Sequence, residues 1–347
     1  MDQQIKSSIE NLSRNIRRLI SVDEKKLEYI IAAWIAGGHV ILADSHGVGK
    51  TSLARALAQS IHWRSEDMRT FGPRDDRNDI MGACAPGVLA AAGVTMEGFS
   101  RIQCTVDLLP QDILGYNRFI GNSGELIFNK GPVFAHFVLC DEINLLTPKT
   151  QGSFLQVMEE QCVTIEGKLY PLRDPFFIIA TMNLRGAHLF PLPIPQLDRF
   201  MLRLSLGYPS EEDERAIIEK HGRTDAWDGF ESVIDSGDLI RWKKMVDQVQ
   251  IDKDVSAYIV ACVRQTRTHP DIESPASPRA GVRISRLVRS LALCRGLDYV
   301  PIDFVKETFI PAMAHRIITR DPSIPAEAPL EKILNTVPVE SGKRKSS

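Results

Sequence analysis

The chain has 347 residues, enough for about two domains. Apolar residues make up 44% and charged residues 25%, the balance of an ordinary globular protein. A net charge of −2 excludes a global basic field for nucleic acid, and no run of about 18 apolar residues is present to span a membrane. No signal peptide opens the sequence, so a cytoplasmic location is expected. The six cysteines are scattered, with no C-x-x-C pair, and read as buried free thiols rather than as a metal or disulfide framework.

In chain order, Ile5, Ile9, Leu12, Ile16 and Leu19 recur at helical spacing and predict an opening amphipathic helix. A second helix is predicted from Asp23 to Ile35. Val40–Ala43 is a short apolar strand, followed by Asp44-Ser45-His46-Gly47-Val48-Gly49-Lys50-Thr51 and a helix through Ser60. Residues 64–97 are first charge-dense and then Ala/Gly-rich. They read as an insertion, either a decorative loop or a docking surface. A strand at 101–105 precedes two hairpin signals, 116–128 around Gly-Asn-Ser-Gly and 163–170 around Glu166-Gly167. Between them lie a strand at 137–140 and a helix at 148–160. Strands at 176–181 and 201–207 complete an alternation that predicts a parallel sheet covered on both faces. Pro209-Ser210-Glu211-Glu212 breaks the pattern. Helices are then predicted at 211–221, 238–249, 252–267, 278–295 and 302–317. The expected organisation is an α/β nucleotide-binding core over 1–208, an all-α lid over 209–334, and a solvated tail over 335–347.

The loop after the first strand carries chemistry. Glycines allow backbone N–H groups to converge on anionic oxygens, and a helix N-terminus adds partial positive charge. Ser45, His46, Gly47, Val48, Gly49, Lys50, Thr51 and Ser52 are thus candidates for binding the phosphates of ATP. Lys50 would reach the β- and γ-phosphates, and Thr51 would hold Mg²⁺. Asp44 stands where the usual pattern has its first glycine. A carboxylate there is unfavourable to phosphates unless it points away.

Phe137-Val138-Leu139-Cys140-Asp141-Glu142 delivers two carboxylates at a strand end, where open α/β sheets place their sites. Asp141 is the candidate Mg²⁺ residue, and Glu142 the base for the attacking water. Asn183 ends another apolar strand and could position that water, although a turn-forming Asn is an alternative. Arg199, in Leu-Asp-Arg-Phe, could reach a neighbouring subunit's γ-phosphate or be a solvated charge. Arg279, in Ser-Pro-Arg-Ala, could close on phosphates or be a first-turn surface arginine.

Taken together, residues 20–320 resemble the MoxR family of AAA+ ATPases. The resemblance runs through Gly47-Val48-Gly49-Lys50-Thr51 (Walker A), Arg101-Ile102-Gln103 with Asp107-Leu108-Leu109-Pro110, and Gly131-Pro132-Val133-Phe134-Ala135. It continues in Asp141-Glu142-Ile143-Asn144 (Walker B), Met158-Glu159-Glu160, Asn183 (sensor 1), Arg199 (arginine finger), Arg279 (sensor 2) and His315-Arg316. It implies an AAA+ αβα P-loop core with a helix-2 insert and a pre-sensor-1 hairpin, followed by a helical lid. It further implies ATP hydrolysis with Mg²⁺ in a hexameric ring, chaperone-like remodelling of a client, and a partner with a von Willebrand factor A domain. Membrane insertion and nucleic-acid binding are not expected. Three departures accompany Asp44: Leu145 replaces the family's usual Arg, Ile194-Pro195 replaces a more polar Glu-Ala, and residues 64–97 are extra. A different reading is an ATP-binding switch or scaffold that hydrolyses weakly.

Overall fold

The computed structural model describes residues 3–44, 47–69, 74–75, 94–120, 125–183, 190–220 and 227–339. Five strands form the central sheet: β1 (Val40–Ala43), β2 (Glu97–Gln103), β3 (Ala135–Asp141), β4 (Phe177–Met182) and β5 (Leu202–Leu204). They are parallel, in the order β5-β1-β4-β3-β2, so all five carboxyl ends lie along one edge. The three central strands, β1, β4 and β3, are apolar because both faces are covered, whereas edge strand β2 is mostly polar and only partly buried. Along β1, Val40 and Leu42 enter one core while Ile41 and Ala43 enter the other, as the two-residue period of a strand requires.

The first core is built by α1 (Gln3–Arg17), α2 (Glu24–Ile35) and α3 (Lys50–Gln59). Ile5, Ile9, Leu12 and Ile16 of α1 are its buried stripe. Asp23 caps α2 by accepting from the Lys26 amide at 3.0 Å. Trp34 of α2 stacks on Phe177 at 5.6 Å and meets Phe137 edge-on at 5.5 Å. α4 (Pro148–Glu160) covers the opposite face with Phe154, Leu155, Val157 and Met158.

Two antiparallel hairpins leave this core, pairing Gly115–Ile120 with Glu125–Lys130 and Cys162–Ile165 with Lys168–Pro171. The second turns on Glu166 and Gly167, with φ of 49° and 76°, the left-handed pair a tight hairpin turn needs. The hairpins are joined, since Asn117 Nδ2 donates to Glu166 Oε2 at 2.8 Å and Phe128 stacks on Tyr170 at 4.6 Å.

The predicted lid helices form at Glu211–Lys220, Ser236–Met245, Lys253–Gln265, Pro278–Cys294 and Ile302–Met313. A further helix, Glu327–Thr336, was not predicted, and it carries the ordered chain past Asn335. Residues 340–347 of the expected tail lie outside the described residues. The lid does not have a core of its own: one apolar cluster runs from α1 and α2 through to Leu330 and Ile333. Ser290 Oγ and Arg286 Nε donate to the carbonyls of Ala32 and Ala36 at 2.7 and 2.6 Å, binding the lid to α2.

Of the expected 64–97 insertion, residues 70–73 and 76–93 lie outside the described residues, as does Cys84. Its described parts are tied in. Arg74–Asp75 pairs with the second hairpin, and the Asp67 carboxylate accepts from Ser236 Oγ at 2.6 Å. The other five cysteines are buried thiols. No helix among the described residues is long and apolar enough to cross a membrane.

Candidate active site

β1 runs directly into the glycine turn. Gly47 and Gly49 both have φ of +82°, a conformation that side chains resist, and Gly49 caps α3. Lys50 opens α3, and burial pulls its ammonium pKa down against the opposing pull of Asp44, Asp141 and Glu142. Its Nζ donates to the Asp44 carbonyl at 2.9 Å, folding the side chain back along the loop. A cavity of about 520 Å³ opens here, lined by Gly47, Gly49, Lys50, Thr51, Ser52, Arg101, Gln103, Asp141 and Glu142. Val48 is buried beside it, while Ser45 and His46 lie outside the described residues.

The two carboxylates enter this cavity from the end of β3. Thr181, fully buried at the end of β4, organises them. Its hydroxyl donates to Asp141 Oδ1 at 2.7 Å and accepts from the Glu142 amide at 2.8 Å. The other Asp141 oxygen takes a 2.7 Å ion pair from Arg101 of β2. Glu142 has φ of 61° and ψ of 53°, a left-handed conformation costing a non-glycine residue about 1–2 kcal/mol. The bond to Thr181 helps to hold that conformation. Asn183 follows β4, and its carbonyl accepts from Asn144 Nδ2 at 2.8 Å. Its side chain is not among those lining the cavity.

Arg199 and Arg279 lie elsewhere, and they lie together. Glu159, at the end of α4, takes Arg199 Nε on Oε2 at 2.8 Å and Arg279 on Oε1 at 2.9 Å. Both arginines hold the Glu159 pKa below the usual carboxylate range, Arg199 through its hydrogen bond most of all. Neither arginine lines the cavity. Arg279, expected from the sequence to close on phosphates or to be a first-turn surface arginine, is paired with Glu159 in this structure. Beneath the pair, Asp198 is buried, with Oδ1 on Arg316 at 2.7 Å and Oδ2 on Ser277 Oγ at 2.8 Å. Arg316 also donates to the Phe200 carbonyl at 2.6 Å. The turn carrying Arg199 is thereby fixed to the helix start carrying Arg279.

The departures at Ile194-Pro195 and Leu145 are accommodated. Pro195 sits in the first turn of the short Ile194–Leu197 helix, where no amide is lost, and Leu145 packs against the second core. Asp44 is accommodated as well, because its carboxylate turns toward the end of β5. It accepts from Ser205 Oγ at 2.5 Å and from the amides of Leu206 and Gly207 at 2.7 and 3.3 Å.

Sequence reasoning did not single out Arg101, Gln103, Thr181, Glu159 or Asp198 as site residues. A signal existed for the first two: alternate polar residues near the end of β2, across from Asp141 in register, mark a face turned toward the site.

Residues 85–202 match the model of the AAA family, described as the ATPase family associated with various cellular activities, and residues 264–336 match an AAA lid domain. The chain is 34% identical over 314 residues to the uncharacterised YeaC protein of Bacillus subtilis, covering 89% of this chain and 88% of YeaC. It is 31% identical over 340 residues to Chaperone MoxR1 of Mycobacterium tuberculosis, covering 95% of this chain and 81% of the relative. A Cytophaga hutchinsonii protein solved as a candidate ATPase superposes with a TM-score of 0.79 at 25% identity, covering 97% of this chain and 96% of that one.

Proposed function

The chain belongs to the MoxR family of AAA+ ATPases, and on that footing we propose that it hydrolyses ATP between neighbouring subunits of a ring and remodels a partner protein. The observation that carries this reading is the meeting of Lys50, Thr51, Asp141 and Glu142 on one cavity at the carboxyl edge of the sheet. Lys50 leaves the Asp44 carbonyl for the β- and γ-phosphates. Glu142 takes the proton of the attacking water, and Asn183 orients that water. Mg²⁺ fits the hard oxygen donors of Thr51 and Asp141, and when bound it neutralises phosphate charge.

Arg199 and Arg279, paired on Glu159 away from this cavity, act on the γ-phosphate of an adjacent subunit. The hexameric ring and a partner with a von Willebrand factor A domain are supported by family resemblance. The name of the mycobacterial relative supports a chaperone-like role. Steady-state ATPase rates of Glu142→Gln and the unmodified chain test the proposal, and equal rates would sink the assignment of the base.

A second reading, a nucleotide-binding switch with weak turnover, is favoured by one observation: Arg101 already occupies an oxygen of Asp141. Tight ATP binding with negligible turnover at ring-forming concentrations would select it.

A further inference from the structure

We infer that Asp44 is a positioning residue that latches the start of the phosphate loop to the segment leading from β5 toward the lid. The inference rests on the ATP-binding reading. Its physical basis is the buried carboxylate. Asp44 is 8% exposed, and its two oxygens take three donors from the segment after β5: Ser205 Oγ, Leu206 N and Gly207 N. Charge-assisted bonds of this kind are roughly twice as strong as neutral ones.

The same residue's carbonyl receives Lys50 Nζ. Asp44 thus holds the lysine with its backbone and the β5 turn with its side chain. Beyond that turn, Leu206 and Gly207 wall a second cavity of about 600 Å³, shared with Ile20, Val22 and Tyr208. Lys26 Nζ fixes the wall from the far side by donating to the Leu206 carbonyl at 3.1 Å. Ile20 reaches back to the loop, since a Cβ on Gly49 would sit 3.8 Å from its Cγ2. The latch therefore sets the position of the phosphate loop relative to the neighbouring cavity. A glycine at 44 would leave that relation to the flexible backbone.

The test uses the full chain carrying Asp44→Ala, Asp44→Gly, Asp44→Asn or Ser205→Ala. Amide hydrogen exchange at Leu206 and Gly207 is followed, and KM and kcat for ATP are measured separately. For Asp44→Ala and Asp44→Gly, exchange at both amides and KM each rise about tenfold while kcat stays within about twofold. Asp44→Asn restores protection at only one of the two amides, because Leu206 N and Gly207 N donate to different carboxylate oxygens and an amide keeps a single acceptor. Ser205→Ala gives a partial effect and keeps the test alive if Asp44→Ala fails to fold.

Unchanged exchange at Leu206 and Gly207 in Asp44→Ala overturns the latch, whether or not the chain turns over ATP. A lower KM in Asp44→Gly or Asp44→Asn also overturns it, because the carboxylate would then be repelling phosphates. An unmodified chain with protected amides but no affinity for ATP would refute the ATPase reading, and with it the role of the latch in nucleotide binding.

Discussion

Asp198→Asn isolates the charge beneath the arginine pair. Arg316 is 1% exposed, and its guanidinium meets Asp198 at 2.7 Å. Burial drags the Arg316 pKa down to about 10 even with Asp198 opposing it, so the cation depends on that carboxylate. Removing one partner of a buried ion pair costs about 3–5 kcal/mol, because the other charge is left without a counter-ion. At an unfolding entropy of about 2.1 cal/mol/K per residue, 347 residues give about 0.7 kcal/mol/K, and Tm falls by about 4–7 °C. Thermal denaturation followed by circular dichroism reads this directly. The double variant Asp198→Leu with Arg316→Met removes both charges and recovers most of the stability. It still turns over slowly, since the tie from Asp198 to Ser277 is gone and Arg199 and Arg279 are no longer fixed to one another. A Tm for Asp198→Asn within about 1 °C of the unmodified chain would refute the argument that this pair is buried and interdependent.

Thr181→Val keeps the shape of the side chain but strips the donor from Asp141 and the acceptor from the Glu142 amide; kcat should fall about 10–100-fold with a smaller change in KM. Mixing Lys50→Ala with Arg199→Ala subunits should restore activity through intact half-sites, and mixing Lys50→Ala with Arg279→Ala should do the same. Recovery with Arg199→Ala alone would return Arg279 to its own chain's site. The buried His39 and His315 are held neutral by desolvation, His39 with its pKa pushed down to about 3. Below pH 6.5 the unfolded chain binds these protons and the folded chain does not, so stability is full above that pH and lost as the pH falls. The slope is about 1.4 kcal/mol per pH unit per histidine, or up to about 3 for the two. Urea midpoints measured at pH 7.5, 6.5 and 5.5 check it, and a flat series would contradict the burial.

Much of the fold was legible because buried parallel strands write themselves as short apolar runs ending in polar residues. β3 ends in Asp141-Glu142, and Asn183 follows β4 directly, so the strands and the candidate residues at their ends could be read together. What escaped was tertiary. β5 was expected to reach Gly207 but stops at Leu204, because the amides of Leu206 and Gly207 bond to Asp44 instead of to a strand neighbour. The Glu327–Thr336 helix was not predicted, and it contains Pro329. Pro329 lies in the first turn, where a proline costs no intrahelical bond. Thr181 looked like one more strand residue, and its role exists only because β4 lies beside β3. Glu159, likewise, is a helix-end carboxylate until folding brings Arg199 and Arg279 to its two oxygens.

The packing also constrains how a cycle can work. A lid that swings freely over its own core must open an apolar cluster shared between α1, α2 and the lid helices. It must also break the Ser290 and Arg286 bonds to α2, and the contacts of Arg295 with Glu28 at 2.7 Å. Large buried interfaces of this kind separate only at substantial cost, whereas a surface ion pair such as Arg199 with Glu159 is exchanged cheaply. In the proposed ring the softer boundary is the one between subunits, where the two arginines would leave Glu159 for an incoming phosphate. In the proposed ring, each protomer's core and lid move together as one body. The change on hydrolysis is then a shift of one such body against the next, and the joined hairpins, borne on the same body, are carried with it.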